Sequence, residues 1–160
     1  MTDQMSRTQV ARLAKSTLKK HWPGIAFSVT SESHSGGSSV RVSWTDGPTE
    51  ARVTQIIGYM EGANFDAMQD LKTYRGNEYG NDYIFTSRRL STSIYRAAAQ
   101  YAADHLADFP LLAVNDKGDI IDHGQRWAND WCCHIVNRIA SHWDACTRKY
   151  ETDQPWSHYL

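Results

Sequence analysis

Apolar and polar positions along the chain change period several times, and each change predicts an element. Ser6 stands three residues before Gln9, a capping-box spacing. Val10, Leu13, Ala14 and Leu18 then recur at helical intervals, predicting a helix over 7–21. Trp22-Pro23-Gly24 ends it, because proline cannot continue a helix and glycine permits the reversal. The period then falls to two. Ile25, Phe27 and Val29 alternate with Ala26, Ser28 and Thr30, and Val40, Val42 and Trp44 with Arg41 and Ser43, predicting strands over 25–30 and 40–44. The polar connection 31–39 is too long for a tight turn, so an antiparallel hairpin with a mobile tip is expected. Asp46-Gly47-Pro48 closes the second strand and opens a helix striped by Val53, Ile56, Ile57 and Met60. A shorter helix is predicted over 64–72, burying Phe65, Met68 and Leu71. A polar loop, 74–82, and a strand, 83–88, follow.

The second half begins at Leu90-Ser91 with a helix over 92–107, turning Ile94, Ala98, Tyr101 and Ala102 inward until Pro110. Residues 111–122 predict a hairpin around Asn115-Asp116-Lys117-Gly118. Trp127, Trp131, Ile135, Ile139 and Trp143 recur every fourth position, predicting a long helix over 125–150 with a buried tryptophan stripe. The order α-β-β-α-α-β-α-β-β-α implies an α+β fold, a small, mainly antiparallel sheet packed by helices. No repeat or linker composition divides the chain. One domain over 1–160 is expected, with a helix-hairpin-helix unit at 7–75 and a helical second half, 91–150, carrying a short hairpin.

At 160 residues, 41% hydrophobic and 22% charged, the chain can bury a core and is not of disordered composition. Its 17 Lys and Arg against 18 Asp and Glu leave a net charge of −1. That balance argues against a protein held to DNA mainly through phosphates, and equally against an acidic mimic of DNA. No run reaches the roughly 18 apolar residues of a membrane span. The N-terminus lacks a secretory signal, so a cytoplasmic location without membrane contact is expected. Three cysteines, Cys132, Cys133 and Cys146, fit reduced thiols better than a disulfide framework.

Three segments, HWPGIAFSV (21–29), SHSGGSSVRVSWTDGPTEARV (33–53) and GANFDAMQDLKTYR (62–75), together resemble the large polyvalent-protein-associated domain of type 29. The resemblance extends over about 10–90 if the strand IFTSRRLS (84–91) belongs to it, and VSWTDGPTE is its most specific word. Ala67 and Gln69 depart from the family pattern, which has Gly and Thr there. The family offers no catalytic reaction to carry over. The resemblance implies a setting in phage and plasmid DNA and, by association with neighbouring domains, protection of incoming DNA or disarming of host defences.

The residues themselves carry few chemical signatures. The glycine-rich stretch at Gly36 and Gly37 leads into a strand, whereas phosphate loops lead into a helix N-terminus, so a hairpin tip is the better reading. Trp44 and Asp46 have structural roles available, as core filler and cap. Asp66 and Asp70 would share a helical face but have no third ligand near them in sequence. Cys132, Cys133, His134, His142 and Cys146 fail the spacing of structural zinc sites. Asp119, Asp122 and His123 can be combined with Cys133 or Ser91 only on paper, without a nucleophile elbow. No catalytic residue, metal or cofactor is therefore assigned. Arg7, Arg12, Lys15, Lys19 and Lys20 give the first helix a basic face, which His34 and Arg41 on the neighbouring hairpin would extend. Contact candidates are thus Arg12, Lys15, Lys19, Lys20, His34, Gly36, Gly37, Arg41, Trp44 and Asp46. The leading expectation is a non-enzymatic protein of a mobile element that binds a host protein of a defence or DNA-processing complex. Its alternatives are a nucleic-acid-binding accessory protein and a cryptic metal-assisted enzyme built on the acids at 66–70 or 119–123. Six tryptophans and eight tyrosines would support a partner surface or a homodimer if several proved exposed together.

Overall fold

The computed structural model describes residues 4–35, 37–66, 68, 71–76, 78–122 and 128–151. They form an α+β protein that gathers into two compact units. The first draws on 1–45 and 50–88, the second on 46–49 and 89–160.

The first unit opens with β1 (Met5–Ser6) and α1 (Arg7–His21). α1 starts as its capping box requires: the Gln9 amide donates to Ser6 Oγ, and the Ser6 amide to Gln9 Oε1. Its end at Trp22 also falls where Pro23 demands. β2 (Ser28–His34) and β3 (Gly37–Thr45) follow, antiparallel with Val29 opposite Val42 and His34 opposite Gly37. Then come α2 (Glu50–Ile57), a single 3-10 turn (Gly58–Met60), β4 (Ala63–Asp66), β5 (Leu71–Tyr74), β6 (Tyr79–Gly80) and β7 (Tyr83–Arg89). β7 lies beside β3 in a three-stranded sheet of order β2-β3-β7. The Asp82 amide donates to Ser38 O and the Asp46 amide to Arg89 O. These two bonds advance in the same sense along both strands, so β7 runs parallel to β3. β1 and β6 also pair in parallel. One sheet face packs Val40, Val42 and Trp44 against Val10, Ala14 and Leu18 of α1 and Val53 and Ile57 of α2, all buried.

The second unit holds α3 (Thr92–His105), β8 (Ala113–Val114), β9 (Ile120–Ile121), α4 (Asp130–Ser141), β10 (Trp143–Asp144) and β11 (Lys149–Tyr150). Ile94, Ala98 and Ala102 of α3 meet Ile135, Val136 and Ile139 of α4 in its core, with Phe109 and Leu112 beneath. The alanines are what lets the two helices approach closely. Among the described residues no helix is long and apolar enough to cross a membrane.

Three expectations are corrected. The polar stretch 31–39 is not a long loop, because both strands run through it and only Ser35 and Gly36 remain between them. The predicted helix over 64–72 is instead the antiparallel pair β4 and β5, with Ala63 opposite Tyr74 and Asp66 opposite Leu71. Asp66 Oδ1 accepts the Met68 amide, a local side-chain bond that competes with helix formation. Arg75 then ties the pair shut by donating to Asn64 Oδ1 from Nε and its second terminal nitrogen. The long helix over 125–150 is only Asp130–Ser141, followed by the hairpin of β10 and β11. The buried Asp144 carboxylate accepts the amides of Cys146 and Thr147, and Arg148 takes φ 55°, so turn chemistry overrides the four-residue spacing of Trp143. Trp131 is 48% exposed, with its ring 5.5 Å from that of the core residue Phe109, and Trp127 lies outside the described residues.

Candidate binding surface

The inner face of the β2-β3-β7 sheet is filled by core residues, so alternation sends their neighbours to the outer face. On β3 that is Arg41. On β7 it is Tyr83 and Phe85, on either side of the inward Ile84. The Arg41 guanidinium lies 5.6 Å from the Phe85 ring centre, and the Phe85 and Tyr83 rings are 6.1 Å apart. Lys72 of β5 continues the row, its Nζ 5.4 Å from the Tyr83 ring and 5.1 Å from the Tyr74 ring. Arg41, Phe85, Tyr83, Lys72 and Tyr74 therefore form a continuous ladder in which cations and aromatic rings stand next to one another. Such contacts are each worth about 0.5–1 kcal/mol at exposed sites, and they hold the side chains in place.

Both cations are also paired. Arg41 Nε is 3.1 Å from Glu32 Oε2, and Lys72 Nζ is 3.0 Å from Asp82 Oδ2. The Asp82 hydrogen bond holds the Lys72 ammonium above the usual lysine range, against an opposing effect of burial. Asp82 is itself fixed, because its Oδ2 accepts the Ser38 amide at 2.7 Å. The ladder thus carries little uncompensated charge. Two of its rings are open to solvent, Phe85 at 47% and Tyr74 at 72% exposed.

The contact candidates read from the sequence fall in three places. Arg12, Lys15, Lys19 and Lys20 are all exposed on α1. His34 and Arg41 alternate with the core-facing residues of β2 and β3. They therefore point from the sheet face opposite α1 and do not extend its basic set. Trp44, Asp46 and Gly37 are engaged in the fold itself. Trp44 is 3% exposed and packs on Phe27 at 5.6 Å. Asp46 lies four residues before the start of α2 at Glu50. It takes φ 54°, and its Oδ1 accepts the amide of Ser91, the N-cap of α3. Gly37 has φ 139° and sits where a methyl group would fall 1.9 Å from Asp82 Oδ2. Gly36 lies outside the described residues. Of the ladder, only Arg41 stood out in the sequence. The alternation of Tyr83, Ile84 and Phe85 could have revealed two more members, whereas Lys72 was hidden by the helical reading of 64–72 and Tyr74 by the loop reading of 74–82.

Of the residues considered for chemistry, Asp119 and Cys133 line one cavity together with Lys117 and Asn137. Asp66 is in a strand, and Asp70 and His123 lie outside the described residues. Asp119 is bonded to Asn115 within the β8–β9 turn. Burial pushes the Cys132 and Cys133 thiols up, away from the thiolate form a nucleophile or metal ligand needs. Among the described residues no three His, Cys, Asp or Glu side chains are grouped to hold a metal.

A small α+β unit that ends at β7 is thus the module that the sequence resemblance outlines. The family model described as large polyvalent protein associated domain 29 matches residues 5–93, more than half of the chain, and the chain belongs to that family. The membership places it in the setting of phages and other mobile elements. No curated protein and no solved structure matches the chain.

Proposed function

We propose that the protein is a non-enzymatic binding protein of a mobile element, and that it acts against a host defence complex, such as a restriction or CRISPR system, by holding one of its protein subunits. The observation that carries this reading is the cation–aromatic ladder on the outer sheet face. Interfaces between proteins are enriched in aromatic residues, methionine and arginine. Phe85, Tyr83, Tyr74 and Arg41 have that composition, and the two cations are paired with Glu32 and Asp82. A face built to hold phosphates would leave its cations uncommitted. The family membership supports the mobile-element setting of the reading.

The test is co-purification of the tagged full chain from host cells, for the wild type and for a Phe85→Ala, Tyr74→Ala variant. The expected result is a stoichiometric subunit of a restriction or CRISPR complex that the variant retains at less than a tenth of the wild-type yield. Three results would overturn the proposal: no stoichiometric partner, a partner retained equally by the variant, or a face occupied by a second copy. The last would appear as a dimer on size exclusion that the variant converts to monomer.

A further inference from the structure

The basic face of α1 lies across the core from the ladder and plays no part in the reading above. α1 holds five basic residues, Arg7, Arg12, Lys15, Lys19 and Lys20, and no acid, while the chain as a whole stands at −1. Helix stability accounts for only part of this set. Lys19, Lys20 and His21 occupy the last turn, where cations complement the helix dipole. Arg7 stands in the first turn, where the dipole disfavours a cation, and no acid accompanies it. Arg12 and Lys15 lie mid-helix. Among the described residues Arg12, Lys15, Lys19 and Lys20 form no ion pair, unlike Arg41, Lys72, Arg75 and Arg96 elsewhere on the molecule.

The geometry of the set is also directional. At about 100° per residue, Arg12, Lys15 and Lys19 fall within an arc of about 60°, and they span about 10 Å along the axis. That length covers about three phosphate steps of a nucleic-acid strand, which rises 3.4 Å per phosphate. Val10, Ala14 and Leu18 are fully buried on the opposite side, so the fold fixes this stripe outward.

We infer that the exposed face of α1 is a seat for the phosphate backbone of duplex nucleic acid, contacted by Arg12, Lys15 and Lys19 and flanked by Lys20. Binding there is independent of base sequence, because it uses charge alone. Three contacts give a dependence of affinity on salt with a logarithmic slope of about −2.7, or roughly 40-fold weaker binding at 200 mM than at 50 mM.

The test is fluorescence anisotropy of a labelled 20-base-pair duplex with the full chain over that salt range. The wild type is expected to bind at 50 mM with that slope. A triple variant, Arg12→Ala, Lys15→Ala and Lys19→Ala, is expected to lose nearly all of the slope and at least tenfold in affinity at 50 mM. Alanine is the best helix former, so the variant should keep α1, which circular dichroism checks. Leu111→Ser, at an exposed position of the second unit, serves as the unchanged control. Absence of binding at 50 mM, binding indifferent to salt, or full binding by the triple variant would each overturn the inference. So would capture by anionic lipid vesicles without capture by the duplex.

Discussion

Gly37 shows at the scale of one residue how a position can look like a ligand loop and be a joint. Its hydrogen lies against the Asp82 carboxylate, which is held by the Ser38 amide and by Lys72. A methyl group there must push the carboxylate off both partners, in a backbone conformation that L side chains rarely adopt. Gly37→Ala is therefore expected to destabilise the protein by about 2–3 kcal/mol, the range of an overpacked site, read as a lowered urea midpoint. In an Asp82→Ala background the same substitution should cost clearly less, because the group it strikes is gone. Additive costs would show that the strain lies in the backbone alone. Read as sequence, Ser35 to Ser39 disclosed none of this, since the partner is 45 residues away. A glycine's freedom is visible in a sequence, but what it makes room for is not.

At the scale of elements, legibility follows the range of the forces involved. α1 was readable to the residue because its start is a local bond between Ser6 and Gln9 and its stop a local proline. α3 was readable because Ile94, Ala98 and Ala102 keep helical period against one neighbour. β4 and β5 were not, since Phe65, Met68 and Leu71 mimic a helical stripe while cross-strand pairing decides the outcome. Lys72 and Tyr74, the part of the ladder on β5, were lost with them. The end of α4 was missed for a related reason: Trp143 continues the period, but Asp144 ends the helix by claiming two amides. Asp144→Ala should leave the Cys146 and Thr147 amides without that acceptor in a buried turn and cost about 2 kcal/mol. Asp144→Asn keeps an acceptor oxygen and should cost less. Thermal denaturation of the two variants separates the cases, and equal losses would mean that the charge rather than the turn matters.

For the whole molecule, two groups of the first unit link stability to pH with the same sign. Lys72 has its pKa raised in the folded state, chiefly by the Asp82 hydrogen bond, and Tyr79 has its raised chiefly by burial. In both the folded chain holds its proton more tightly than the unfolded chain, whose values are about 10.4 for lysine and 10 for tyrosine. The stability they add is fully present below those values and is lost as pH rises through the folded ones. Melting temperature is therefore expected to be level with respect to these groups from pH 7 to 9 and to fall above about pH 10. The fall should be shallower in Lys72→Met, and an unchanged profile in that variant would remove Lys72 from the account.

The parallel seating of β7 on β3 also sets a timetable. During synthesis β2 can pair with β3 as soon as both have emerged, but the other edge of β3 must wait for residues 83–89. At 5–20 residues per second that interval is roughly two to eight seconds. Through it, Gly37–Thr45 offers a row of unmet backbone donors and acceptors beside Val40, Val42 and Trp44. Each nascent chain therefore passes through a window in which neighbouring chains on one message can pair edge to edge. Ribosome spacing, rather than the stability of the finished fold, would then govern how much of the protein is made without aggregating.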